Sequence, residues 1–184
     1  MKKRATRIVL FAGAVIALAF LFNFYFTNIE GDGKKTPEAA LPTDQNYEWI
    51  EGPKTEKEHR YFFLSNGTYF GTGTVTKNLT GWSSSDGVYA KLPNSLEFNE
   101  IPAAYSDSKI LYGLIKPNGE ISVTVNGVDV ELIQLSSLSE EVVNSYNVKG
   151  YSIWYIDLTE LGNREEFIIK VLDSNDEVLS EISI

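Results

Sequence analysis

Residues 120–132 read Glu120-Ile121-Ser122-Val123-Thr124-Val125-Asn126-Gly127-Val128-Asp129-Val130-Glu131-Leu132, with an apolar side chain at every second position on each side of Asn126-Gly127. Alternation with period two puts every apolar group on one face of an extended strand. Asn-Gly between two such runs supplies the central pair of a type I′ turn, in which both residues take positive φ. A β-hairpin with one buried face is predicted.

The same punctuation continues outward. Upstream, the apolar run 109–115 ends at Lys116-Pro117-Asn118-Gly119, a turn in which proline presets φ and Gly119 accepts a positive one, so a third strand feeds the hairpin. Downstream the period changes: Ser137 with Glu140 has the spacing of a capping box, and Leu138, Val142 and Tyr146 recur every four residues, as in a short amphipathic helix. Residues 151–158, 166–172 and 177–184 then read as three more strands, the last two joined by Asp173-Ser174-Asn175-Asp176. Short, evenly punctuated strands of this kind predict an all-β domain, an immunoglobulin-like β-sandwich with one short helix, over 106–184. The half 47–105 is less regular. Residues 60–64 and 68–76 form a hairpin pattern through Ser65-Asn66-Gly67, with Tyr69, Gly71, Gly73 and Val75 on one face and Thr72, Thr74 and Thr76 on the other. Glycines inside a strand predict curvature or a close backbone approach. Residues 81–87 form a polar loop carrying Trp82, and 88–98, interrupted by Pro93, read as an edge strand and turn.

The layout of 110–184, with Tyr112-Gly113-Leu114-Ile115 leading into Val123-Thr124-Val125-Asn126-Gly127, resembles uncharacterised membrane-anchored exported proteins of Gram-positive bacteria with an immunoglobulin-like β-sandwich. The resemblance implies a fold and a location, with no catalytic residues attached.

The amino end speaks to location independently. Lys2, Lys3, Arg4 and Arg7 precede the run 8–26, which is apolar apart from Asn23 and long enough as a helix to span a bilayer core. Cations confined to one side predict residues 1–7 in the cytoplasm, 8–26 as a single transmembrane helix, and everything after it exported. A cleaved signal peptide with Ala17-Leu18-Ala19 as its site is the alternative, giving a secreted product. Cleavage there would leave Phe20-Leu21-Phe22-Asn23-Phe24-Tyr25-Phe26 as an exposed apolar amino end, which favours the anchor. Residues 27–46, with Gly31, Gly33, Pro37 and Pro42 among mixed charges, read as a flexible tether to the domain 47–184. Small residues Ala12, Gly13, Ala14, Ala17 and Ala19 would let a partner membrane protein's helix approach.

Charge and composition narrow the chemistry. The chain carries −9, and because all 25 acidic residues follow Phe26 while four cations precede it, the part beyond that helix carries −13. Such a surface disfavours nucleic acid. No cysteine is present, so an exported domain must rely on its core rather than on disulfides. His59 is the only histidine, which leaves a Ser-His-Asp triad dependent on His59 with Ser83, Ser84 or Ser85, none of them in a Gly-x-Ser-x-Gly elbow. Asp173-x-Asn175-x-Glu177 imitates the start of a calcium loop, yet Val178 stands where that loop needs glycine, and a hairpin turn explains the residues better. Neither metal nor cofactor is expected. The remaining feature is aromatic: Trp82, Tyr89 and Tyr69 have the character of a surface that stacks on a cell-wall glycan or grips a small ligand. Sequence alone therefore points to a non-enzymatic, membrane-tethered interaction or sensor module, with a Trp82-loop glycan binder as the alternative and a secreted hydrolase as the outlier.

Overall fold

The computed structural model of the chain describes residues 2–28, 33–43, 46–85, 87–162 and 166–184. They form antiparallel sheets, short helices and one long amino-terminal helix, α1 (Lys2–Asn28). Within α1 the segment Thr6–Phe26 has a mean hydropathy of 2.3 over its best window and no buried residue. It is long and apolar enough to cross a membrane, a property that a signal sequence near an amino end shares.

The contacts divide the chain into two units, one containing residues 1–44, 53–61 and 73–86, the other 45–52, 62–72 and 87–184. After α1 come α2 (Pro37–Ala40), then β1 (Tyr47–Lys54), β2 (Glu58–Ser65) and β3 (Tyr69–Lys77), which pair in sequence order, and then β4 (Trp82–Ser84) and β5 (Val88–Lys91).

In the first unit β4 pairs antiparallel with the Val75–Lys77 end of β3. Part of the expected tether is folded here. Lys34 and Trp82 exchange backbone hydrogen bonds of 2.9 and 2.8 Å, and α2 begins on an N-cap, Thr36, whose Oγ1 accepts from the Ala39 N–H at 3.3 Å. Pro37 occupies the first turn, where its missing N–H costs nothing, and Ala40 is buried. The Thr-Pro pair is a helix-start signal that a reading by composition passes over.

In the second unit eight further strands follow: β6 (Ala104–Ser106), β7 (Ile110–Ile115), β8 (Ile121–Val125), β9 (Val128–Asp129), β10 (Glu131–Gln134), β11 (Ser152–Asp157), β12 (Ile168–Asp173) and β13 (Val178–Ser183). They build two four-stranded sheets, ordered β10-β11-β7-β6 and β13-β12-β8-β9. Leu111, Ile115, Trp154 and Ile156 from the first meet Val123, Val125, Ile169 and Val171 from the second in one core cluster. Trp154 lies directly opposite Gly113. A Cβ at Gly113 would stand 2.8 Å from the indole, so only glycine leaves room for that ring. The other face of β7 and β11 is also covered: Ile110, Tyr112, Leu114 and Ile153 pack with Ile50, Phe62, Leu64 and Phe70 of β1, β2 and β3. Every residue of β7 is buried.

The predicted Asn126-Gly127 turn is present, with φ of 52° and 81°, and Asn126 Oδ1 accepts from the Ile168 N–H at 2.9 Å. The hairpin is shorter than predicted. β9 ends at Asp129, after which the chain changes sheets and Leu132 pairs with Trp154 of β11. Changing sheets shifts the phase of the pattern: Val128 and Val130 pack on one cluster, Ile133 packs on the other, and Leu132 is left exposed. The short helix α3 (Glu140–Ser145) starts two residues later than the capping-box spacing predicted. Its N-cap is Ser139, which accepts from the Val142 N–H at 3.3 Å, while Ser137 lies in a 3-10 turn and donates to the Gln134 carbonyl. Leu138, Val142 and Tyr146 pack on the core as the spacing required. A last short helix, α4 (Leu158–Leu161), follows β11 and is capped by Asp157.

Candidate functional site

Alternation in the second unit's part of the first sheet sends Phe62, Leu64 and Phe70 into the core and leaves the odd-numbered residues to the opposite face. Those residues are aromatic to an unusual degree. Tyr47 and Trp49 of β1 lie 4.9 Å apart by ring centroid. Phe63 of β2 meets both edge-on, at 5.0 and 5.3 Å. Tyr69 of β3 and Tyr89 of β5 form a T-shaped pair at 5.6 Å, with exposures of 40 % and 66 %. Phe63 is buried beneath this face, while Tyr47 and Trp49 are half-buried and Tyr69 and Tyr89 stand in water where alternation would normally place polar groups, which marks a contact surface.

A cleft of about 250 Å³ opens among them, lined by Tyr47, Phe63, Ser65, Asn66, Tyr69 and Tyr89. Two local devices shape it. The β2–β3 turn is a second Asn-Gly pair, Asn66 and Gly67 at φ of 51° and 69°, which sets the Asn66 carboxamide at the rim. Gly71 lies opposite Tyr89 in the β3–β5 register. A Cβ at Gly71 would stand 2.4 Å from the Val88 carbonyl oxygen, 2.7 Å from Phe63 Cζ and 2.8 Å from Tyr89 Cα, so the strand glycine permits the close approach that its position predicted. Among the described residues, the Ser65 hydroxyl, the Asn66 carboxamide and the phenol groups of Tyr47, Tyr69 and Tyr89 make no hydrogen bond within the protein. Six side chains thus offer ring faces, hydroxyls and one amide, and none carries a charge.

Tyr69 and Tyr89 come together as the sequence suggested, but Trp82 does not supply an exposed face. Its indole is 7 % exposed. His59 stands against it at 4.8 Å, edge to face, and the Lys77 Nζ lies 5.7 Å from its ring centroid. The backbone pairing with Lys34 draws the presumed loop into a strand, and the ring is spent on packing. Nearby, the Glu38 carboxyl is held below the usual carboxylate range, first by a backbone hydrogen bond and then by the Thr36 side chain, with a further contribution from the Tyr61 hydroxyl that donates to it at 3.3 Å. Tyr47, Phe63, Ser65 and Asn66 were not singled out from sequence. The odd-numbered parity of Tyr47, Phe63 and Ser65, with Asn66 in the turn that follows, is the available signal, and it becomes decisive only once the strands are paired.

Other chemistry stays apart. Among the described residues no hydrogen bond joins His59 to a serine; its Nδ1 and the Ser83 Oγ are both buried without a partner. Ser85 donates to the Thr74 carbonyl. No group of three histidine, aspartate or glutamate side chains able to hold a metal occurs among the described residues. The Asp173 carboxylate turns back on its own hairpin, accepting from the Asn175 and Glu177 N–H groups at 2.8 and 2.9 Å, and these bonds hold it below the usual carboxylate range. No protein-family model, no curated protein and no solved structure matches the chain.

Proposed function

We propose that this chain is a membrane-attached, non-enzymatic recognition module, exported beyond its amino-terminal helix and built on an immunoglobulin-like sandwich. The observation that carries the reading is the aromatic face with its uncharged cleft, a concave site with ring faces and unpaired polar groups converging on one small volume.

The two sheets of the second unit support the immunoglobulin-like assignment. Lettering β6 to β13 as A, B, C, C′, D, E, F and G turns the observed orders into D-E-B-A and G-F-C-C′. That is the strand arrangement of immunoglobulin-type sandwiches with a C′ strand. The buried tryptophan falls on strand E, at Trp154, rather than on strand C, and no disulfide pins the sheets. Four cations ahead of an apolar helix with no buried residue support an anchor with its amino end in the cytoplasm, and the resemblance to Gram-positive exported proteins points the same way.

Recognition is tested in the native membrane by placing the photo-crosslinking residue p-benzoylphenylalanine at Tyr89, an aromatic-for-aromatic exchange at an exposed site, and at Val178 as a control. Adducts with a cell-envelope component at position 89 and not at 178 are expected. Equal yields at both positions would refute recognition through this face. Protease added to intact cells or protoplasts should leave a membrane-bound amino-terminal fragment, whereas a soluble species beginning at Phe20 would establish the signal peptide.

A further inference from the structure

We infer that the cleft between Tyr47, Phe63, Tyr69 and Tyr89 binds an uncharged pyranose ring, with Ser65 and Asn66 as its hydrogen-bonding partners. The inference rests on the recognition reading above and names the ligand class.

Ligand classes are eliminated one at a time by the lining. An anion finds no cation among the six lining residues. A quaternary ammonium group would suit the rings, but no carboxylate lines the cleft to pair its charge. A purely aliphatic ligand would strip water from the Asn66 carboxamide and the Tyr69 and Tyr89 phenols and give them no partner in return. A sugar ring answers every demand. One face of a pyranose is a patch of C–H bonds with partial positive charge, which suits the electron-rich face of a tyrosine. Its edge is a row of hydroxyls that both donate and accept, which suits a hydroxyl, an amide and three phenols with unused capacity.

Size agrees. About 250 Å³ is below the range of sites that enclose drug-sized ligands, and it fits one ring with its neighbours in the open cleft mouth. A single ring held this way has a dissociation constant on the order of 1 mM, and a polymer presenting several rings binds more tightly. The T-shaped Tyr69–Tyr89 pair leaves Tyr89 as the movable wall, 66 % exposed and free to lie against a ligand.

The test uses the full chain in micelles of a polyoxyethylene detergent, since glycoside detergents would compete. Binding is followed by isothermal titration with chitohexaose, cellohexaose and maltohexaose, each beside its monosaccharide, and with choline, a heparin hexasaccharide and a proline-rich peptide as probes of the other classes. At least one neutral hexamer should bind. Tyr89→Ala and Tyr69→Ala should each weaken it about tenfold or more, and Asn66→Gly, which keeps the positive φ while removing the carboxamide, should weaken it several-fold. Val178→Ala should bind like the native chain, and the unfolding midpoints of Tyr89→Ala and Asn66→Gly should stay close to it. A monosaccharide as tight as its hexamer identifies a free sugar as the source, and a large hexamer advantage identifies a glycan polymer. Binding of choline, heparin or the peptide in place of every neutral sugar overturns the inference while leaving recognition intact. Sugar binding that ignores Tyr69, Tyr89 and Asn66 overturns the site. Failure of all probes together with a strong crosslink at position 89 refutes the sugar, and failure of the crosslink refutes recognition itself.

Discussion

Replacing Trp82 with alanine should cost the first unit about 3 kcal/mol. An aromatic side chain of this kind buries about 150–250 Å², and at roughly 25 cal/mol per Å² its removal from water is worth about 4–6 kcal/mol in gross terms. The ring is 93 % withdrawn from solvent, judged by its 7 % exposure. Two effects pull the figure down: alanine retains the Cβ, and β4 is a three-residue strand that can settle into the space. One pulls it up, the loss of the Lys77 ammonium from the ring face at 5.7 Å, worth about 0.5–1 kcal/mol. Measured aromatic-to-alanine changes in cores span about 3–5 kcal/mol, and the partial collapse expected here selects the lower end. The readout is local. The Lys34 and Trp82 amides, which exchange hydrogen bonds of 2.9 and 2.8 Å, should lose hydrogen-exchange protection together in Trp82→Ala, and the urea midpoint should fall. Trp82→Phe, which can keep an edge contact with His59, should lose about 1 kcal/mol. Protection retained at both amides with a loss under about 1 kcal/mol would show the indole to be a surface group and refute its assignment to packing.

Three further outcomes are expected. Gly127→Val should destabilise the second unit by about 1–3 kcal/mol in urea unfolding, entirely through backbone strain, because φ is 81° and nothing lies within 4 Å of a Cβ there. Gly71→Ala should cost about 2 kcal/mol or more, since its Cβ meets the Val88 carbonyl oxygen at 2.4 Å and one strand must move, and the same change should widen the cleft and weaken any ligand held in it. The Asp173 carboxylate has a folded-state pKa below its ordinary value, so its contribution to the β12–β13 turn is present at neutral pH and is lost as pH falls through that lowered value. Measured against the intrinsic exchange rate at each pH, the protection of the Asn175 and Glu177 amides should fall on acidification in the native chain, and Asp173→Asn should remove most of that dependence.

What could be read from sequence was local. Asn126-Gly127, the Pro117-Gly119 turn and the Asp173 hairpin each declare themselves within a few residues, because the turn geometry needs those residue types wherever it occurs. The glycine at 71 announced a close approach without saying to what. The features missed were set by pairing across distance. Tyr47 and Tyr89 reach one cleft through strands that are not neighbours in the chain, and the burial of Trp82 depends on Lys34, in a segment whose composition resembles a linker. The sheet change at Val130 is hidden because apolar alternation runs on through it to Leu132, although burial changes phase there and Ile133 packs inward instead. The capping-box spacing pointed to Ser137, but the 3-10 turn takes up that serine and Ser139 caps the helix instead.

The double covering of β7 and β11 imposes an order of events. Strands β1 to β3 are synthesised, and on the proposed topology translocated, well before Ile110, and Ser152 follows some eighty residues after Tyr69. Phe62, Leu64 and Phe70 therefore lack the larger part of their partner surface until Tyr112, Leu114 and Ile153 arrive, and closing such long loops is slow compared with making a hairpin. Through that interval the early segment exposes aromatic and aliphatic side chains that favour association. A chain cut short before Ser152 would lack β11 and leave that face incompletely covered, so a strand made late governs the protection of the first-made ones.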